Sequence, residues 1–191
     1  MVDIAIFASG RGSNADNICT YFKNHALIKV SCVLSDRKEA GVFDVAAKHR
    51  VPAVYLTKEL LNEPEKILAI LRSHNIQFIV LAGYLKLMPV EIINAFRKRI
   101  VNIHPALLPK FGGKGMYGMR VHEAVCNAQE TETGITIHHV NEQYDEGAII
   151  LQKNVMIDKN DSSQSIADKI HLLEMENFPK EIEKLIIKMD N

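Results

Sequence analysis

Short apolar runs separated by stretches of helical character constrain this 191-residue chain more than any other feature. Ile4-Ala5-Ile6-Phe7-Ala8, residues 28–34, Val51-Pro52-Ala53-Val54-Tyr55, Phe78-Ile79-Val80-Leu81-Ala82 and Arg99-Ile100-Val101 make up the series. Most of these runs are close to continuous in apolar residues, which suits strands buried on both faces. Helices are expected between them, over residues 14–24, 40–49, 64–74 and 89–98, with Pro64 in a first turn. Strands alternating with helices imply right-handed crossovers and a parallel sheet. After Pro109 the pattern changes. Residues 110–118 hold four glycines and read as a loop; a helix near 120–128 precedes two β-rich runs, 133–140 and 149–157. Those two runs flank a polar turn and extend the sheet in antiparallel fashion. The tail from residue 162 is helical, with Ile182, Leu185, Ile186 and Met189 as its expected core stripe.

Bulk composition says little about ligands but removes several classes. Lysine plus arginine and aspartate plus glutamate both total 23, so no global charge draws the chain to nucleic acid or an anionic membrane. Any anion must be met locally. Cys19, Cys32 and Cys126 have neither metal nor redox spacing, and the eight histidines show no HExxH-type pairing, so no metal is expected. The amino terminus turns acidic at Asp3 and reaches Ser9-Gly10-Arg11 too soon for a secretory leader. A cytoplasmic protein, monomer or homodimer, is expected.

The chemistry concentrates in Asn102-Ile103-His104-Pro105-Ala106-Leu107-Leu108-Pro109. Residues i and i+2 of a strand share a face, so Asn102 and His104 point the same way. Pro105 holds His104 extended and stops the strand there. The pair is thereby offered at the carboxyl edge, where open α/β sheets bind ligands. An isolated Asn-x-His would more often cap a strand end. Here an amide donor beside a titratable base suits acyl transfer, one for the oxyanion and one for the proton.

Ser9-Gly10-Arg11-Gly12-Ser13-Asn14-Ala15 links the first strand to the first helix. Free N–H groups at a helix start favour a phosphate, glycine permits close approach, and Ser13 and Asn14 add donors. A competing reading exists: Gly10-x-Gly12-x-x-Ala15 with Asp36 at the end of strand two also fits the fingerprint of an NAD-dependent oxidoreductase. Against it, no separate substrate domain follows, and polar Ser13 and Asn14 suit a terminal monophosphate.

Together these pieces resemble the folate-dependent formyltransferases, and within them those acting on glycinamide ribonucleotide. The resemblance rests on Gly12-Ser13-Asn14, Leu81-Ala82-Gly83-Tyr84, the Asn102–Pro109 run, residues 134–138 and Asp145-Glu146-Gly147. It implies a single domain over 1–191, its Rossmann-like sheet divided into a nucleotide- or phosphate-binding half, 1–103, and a folate-site half, 104–191. It also implies formyl transfer from 10-formyltetrahydrofolate, the co-substrate, to glycinamide ribonucleotide in purine synthesis. A different phosphorylated amine, a hydrolase or an inert binding protein are the other expectations left open.

By resemblance, Asn102, His104 and Asp145 are catalytic, and Asp145 lies near His104 although 41 residues separate them. Asp145 is then expected to raise the His104 pKa. Gly12, Ser13, Asn14 and Glu174 would hold the acceptor; Leu85, Lys86, Leu87, Met88, Asn102, Val140, Asn141 and Tyr144 would contact the folate. His171 is a weaker candidate, His138 is expected to be structural, and Lys110 and His122, bordering the glycine-rich loop, have no assigned role. The family's folate-tail arginine has no counterpart between Lys58 and Lys66.

Overall fold

A computed structural model describes Met1 to Met189. Seven strands form one sheet: β1 (Val2–Phe7), β2 (Ile28–Ser35), β3 (Ala53–Tyr55), β4 (Ile76–Leu81), β5 (Ile100–His104), β6 (Glu132–His139) and β7 (Ile149–Met156). The spatial order is β3-β2-β1-β4-β5-β6-β7. The first five strands pair in parallel, whereas β6 runs antiparallel to both β5 and β7. This is the expected open, mostly parallel sheet with an antiparallel extension.

Among the described residues seven helices complete the fold: α1 (Ser13–Phe22), α2 (Val42–His49), α3 (Lys58–Leu61), α4 (Pro64–Ser73), α5 (Val90–Ala95), α6 (Met119–Asn127) and α7 (Ser163–Met189). Alternation along the strands builds two cores. Ile4 and Ile6 of β1 join Ile18 of α1 and Phe178 and Ile182 of α7 on one face. Ala5 and Phe7 join Leu68 and Leu71 of α4 and Ile92 of α5 on the other. Three layers result because neither sheet face is left to solvent.

Some local expectations need correction. The four-residue helix α3 was not foreseen; the side chain of Thr57 caps it by accepting from Leu60 N–H. Helix α5 is six residues long rather than ten, because the chain leaves it at Phe96 and passes through Lys98 in a left-handed conformation. On α7, Ile182 and Ile186 are fully buried and Leu185 packs against the core, but Met189 is 42% exposed. The core ends before that last turn.

The chain diverges at the carboxyl ends of β1 and β4, which lie side by side but lead to opposite faces. A crevice opens at such a switch point. Ser9 N–H donates to the Gly83 carbonyl (3.0 Å), tying the two diverging loops together beneath it.

Candidate active site

Gly12 precedes α1 at φ 86°, a left-handed conformation, and a Cβ there would lie 2.9 Å from the Val42 backbone. Glycine is needed for both reasons. No side chain caps α1, so its first-turn N–H groups face the crevice without intrahelical partners. Pro179 fixes the opposite wall. Lacking an N–H, it cannot bond the carbonyl one turn back, and Met175 O instead accepts from Asn17 Nδ2 of α1 at 2.8 Å. That contact sets α7 against α1 and brings Glu174 Oε2 to 2.9 Å from Asn14 Nδ2. His171, one turn earlier, has Nδ1 3.7 Å from the same carboxylate. Glu174 holds this imidazole above its ordinary pKa, with burial opposing.

Strand β5 ends at His104, presenting Asn102 and His104 on one face as the sequence requires. Antiparallel pairing sets His138 of β6 directly opposite Asn102, so the two side chains share that face. His138 Nδ1 donates to the His139 carbonyl (2.8 Å), which leaves Nε2 as an acceptor for Asn102 Nδ2 (3.1 Å). The loop after β6 returns Asp145 to the same place. It does so through Gly147, where a Cβ would collide with the His139 carbonyl at 1.6 Å, and with Asp145 itself at φ 59°. Left-handed aspartate is uncommon and marks a position held by its surroundings.

Asp145 Oδ2 accepts from Gly113 N–H (2.8 Å) and lies 3.5 Å from His104 Nδ1. Its Oδ1 lies 3.6 Å from His138 Nε2 and 3.5 Å from Asn102 Nδ2. Burial pushes this carboxyl up, but the polar groups facing it, the Gly113 N–H among them, outweigh it and leave the pKa below its ordinary value. Asp145 is ionised.

His104 departs from expectation. Its Nε2 donates to the Phe111 carbonyl at 2.8 Å, and only 3% of the residue is exposed. Burial lowers its pKa, and Asp145 and the Phe111 carbonyl restore only part. The imidazole is therefore neutral at pH 7 in the resting site, not pre-charged by Asp145.

One cavity of about 1130 Å³ joins these pieces. Small-molecule sites usually occupy roughly 300–1,000 Å³, so this one is large. Gly12, Ser13, Asn14, Glu174, Leu85, Asn102, His104, Tyr144 and Asp145 all line it. Other expected folate contacts do not. Met88 is buried in the second core beside Ile92, Val140 packs against that core, and Lys86 and Leu87 point to solvent. Asn141 turns its Oδ1 inward to accept from Gln143 N–H. His138, expected to be structural, is buried outside the cavity lining and holds Asn102 and Asp145 from behind, its position opposite Asn102 set by the antiparallel pair. Lys110 is an exposed partner of Glu130.

The family model described as formyl transferase matches residues 2–182. The chain belongs to the formyl transferase family. Among its relatives is the chloroplastic phosphoribosylglycinamide formyltransferase of Arabidopsis thaliana, 39% identical over 173 residues. That match covers 87% of this chain and 59% of the plant protein, so the chain spans about three fifths of that relative's length. The phosphoribosylglycinamide formyltransferase of Bacillus subtilis (strain 168) is 35% identical across 97% of this chain and 95% of its own. The crystal structure of glycinamide ribonucleotide transformylase 1 from Geobacillus kaustophilus superposes with a TM-score of 0.87 at 34% identity, covering 97% and 98% of the two chains.

The oxidoreductase reading fares poorly against the geometry. Asp36, the residue that would take a ribose hydroxyl, accepts from Ser9 Oγ at 2.5 Å, and that hydroxyl in turn accepts from Leu85 N–H. Among the described residues no helix is long and apolar enough to cross a membrane.

Proposed function

We propose that this formyl transferase moves the formyl group of 10-formyltetrahydrofolate to the primary amine of glycinamide ribonucleotide, a step of purine biosynthesis. One observation carries the reading. A single cavity is lined both by a helix start suited to phosphate and by Asn102, His104 and Asp145. An acceptor with both a phosphate and an amine matches that lining, and the size leaves room for a reduced folate beside it. The names and coverage of the bacterial relatives point the same way.

Gly12, Ser13 and Asn14 would receive the phosphate on the α1 N–H groups, with Arg11 and His171, whose pKa Glu174 raises, nearby. On the donor side, Leu85 and Tyr144 would wall the pterin. The N–H groups of Leu85 and Val140 are already spent on Ser9 Oγ and the Ile100 carbonyl. Backbone carbonyls are thus the groups left to read a pterin's own N–H donors.

The amine nitrogen attacks the formyl carbon, and the carbonyl π electrons move to oxygen. Asn102 stabilises that oxyanion. One of its amide hydrogens is held by His138; the other faces Asp145 at 3.5 Å, the long limit of a hydrogen bond, and is weakly enough engaged to serve a new acceptor in its path. Neutral His104 takes the proton from the attacking nitrogen and becomes an imidazolium facing ionised Asp145. It then returns the proton to the folate nitrogen as the carbon–nitrogen bond to the donor breaks, giving tetrahydrofolate and the N-formyl product. Acid–base assistance of this kind is worth on the order of 10²–10⁴ in rate. The test is product identification: donor labelled in its formyl group, incubated with glycinamide ribonucleotide, should place the label on the acceptor amine. Label recovered as formate would defeat the proposal.

A further inference from the structure

The mechanism leaves one buried histidine unused. His122 lies on α6, just beyond the glycine-rich loop, and only 7% of it is exposed, yet it forms part of the wall of the cavity. Its Nδ1 is fully buried without a hydrogen-bond partner among the described residues. Buried polar atoms are nearly always paired, and one that is not calls for a ligand or an ordered water. The same wall contains another such atom, Asn14 Oδ1, on the residue that bonds Glu174. Of the three such atoms among the described residues, these two belong to residues around the cavity that would receive the acceptor, and the third, His139 Nδ1, does not.

Resting on the transfer reading above, we propose that His122 is a further contact for the acceptor substrate. It would hold the stretch between phosphate and amine by a hydrogen bond from the imidazole, alongside Glu174. Electrostatics agree with that placement. Burial lowers the His122 pKa, Glu174 opposes the shift, and His104 adds to it, so the ring lies within the electrostatic reach of both Glu174 and His104. It is neutral at pH 7, with one ring nitrogen a donor and the other an acceptor. That suits a neutral hydroxyl or amide of a ligand better than its phosphate.

The experiment compares H122F, H122N and H122Q with wild type by steady-state kinetics, varying each substrate with the other saturating. Asparagine and glutamine place an amide near the Nδ1 and Nε2 positions, respectively. Loss of one hydrogen bond to a neutral group should raise KM for glycinamide ribonucleotide about fivefold to tenfold in H122F. KM for the folate should stay within about twofold, and one amide variant should recover most of the loss. Both KM values rising together, or a lowered Tm with unchanged KM ratios, would mark a structural residue and overturn the inference.

Calorimetric titration of glycinamide ribonucleotide without folate separates this inference from the reading beneath it. Wild type that binds the acceptor but transfers nothing defeats the transfer reading alone, and weaker binding by H122F then still supports the contact. H122F that binds as tightly as wild type overturns the His122 inference alone. Wild type that binds no acceptor defeats both.

Discussion

Asp145→Asn is the substitution that most sharply separates electrostatic stabilisation of His104 from simple packing. Asparagine matches the carboxylate in shape and can still accept from Gly113 N–H, so the loop should hold. What disappears is the charge 3.5 Å from His104 Nδ1. At an effective dielectric near 20, unit charges at that separation attract by about 5 kcal/mol, an upper bound on the benefit to the transient imidazolium. The Phe111 carbonyl at 2.8 Å and the new amide dipole retain part of this. A loss on the order of 3–4 kcal/mol follows, or about 10²–10³ in kcat. The pH profile gives a second, independent readout. Asp145 opposes the burial that lowers the His104 pKa, and asparagine removes that opposition. The acid limb of kcat/KM, which reports the free enzyme, should therefore move to lower pH. Steady-state rates across pH test both points. A kcat within about threefold of wild type, or an acid limb that stays put or moves to higher pH, would refute the reasoning.

Three further outcomes follow from the same geometry. Asn102→Ala should lower kcat by about 10²–10³ with little change in Tm, since it removes an oxyanion donor from a half-buried position; a loss expressed mainly in KM would contradict the role. Gly12→Ala forces a Cβ to within 2.9 Å of the Val42 backbone at φ 86°. It should cost on the order of 2 kcal/mol in thermal unfolding and raise KM for the acceptor more than for the folate; unchanged Tm would show that the turn is not tight. Stability should also fall on acidification. Burial holds His104, His122 and His139 below the ordinary imidazole range. The unfolded chain therefore binds more protons below about pH 6.5, and each site contributes at most about 1.4 kcal/mol per pH unit. His171, held above that range, opposes the trend. Calorimetry should show Tm dropping between about pH 7 and 5.5; a flat or rising Tm would contradict the burial argument.

The parallel sheet could be read from the chain because strands buried on both faces must be apolar throughout, as Ile4-Ala5-Ile6-Phe7 and Phe78-Ile79-Val80-Leu81 are. Asn102 and His104 were readable for a local reason too: strand periodicity and Pro105 fix where they point. Asp145 was not. Its meeting with His104 depends on a left-handed turn and on Gly147 passing against the His139 carbonyl, neither of which has a short-range signature. His138 could have been found by combining the expected antiparallel extension with a register, but the register is set by the whole β5–β6 pair. The pKa of His104 was misjudged in direction, since a sequence can suggest a carboxylate neighbour but not how deeply the ring is buried. Apolar character reads Met88 as core, as the structure has it, whereas the folate contact came from resemblance; apolar character did not tell that the last turn of α7 is exposed.

The central claim is that donor chemistry waits for the acceptor, and the absorbance change on formyl loss from 10-formyltetrahydrofolate reports it directly. Wild-type protein should consume the donor only when glycinamide ribonucleotide is present, at a rate that falls in the Asn102→Ala variant. Consumption at the same rate without the acceptor would make the protein a hydrolase, and no consumption in either case would contradict formyl transfer altogether.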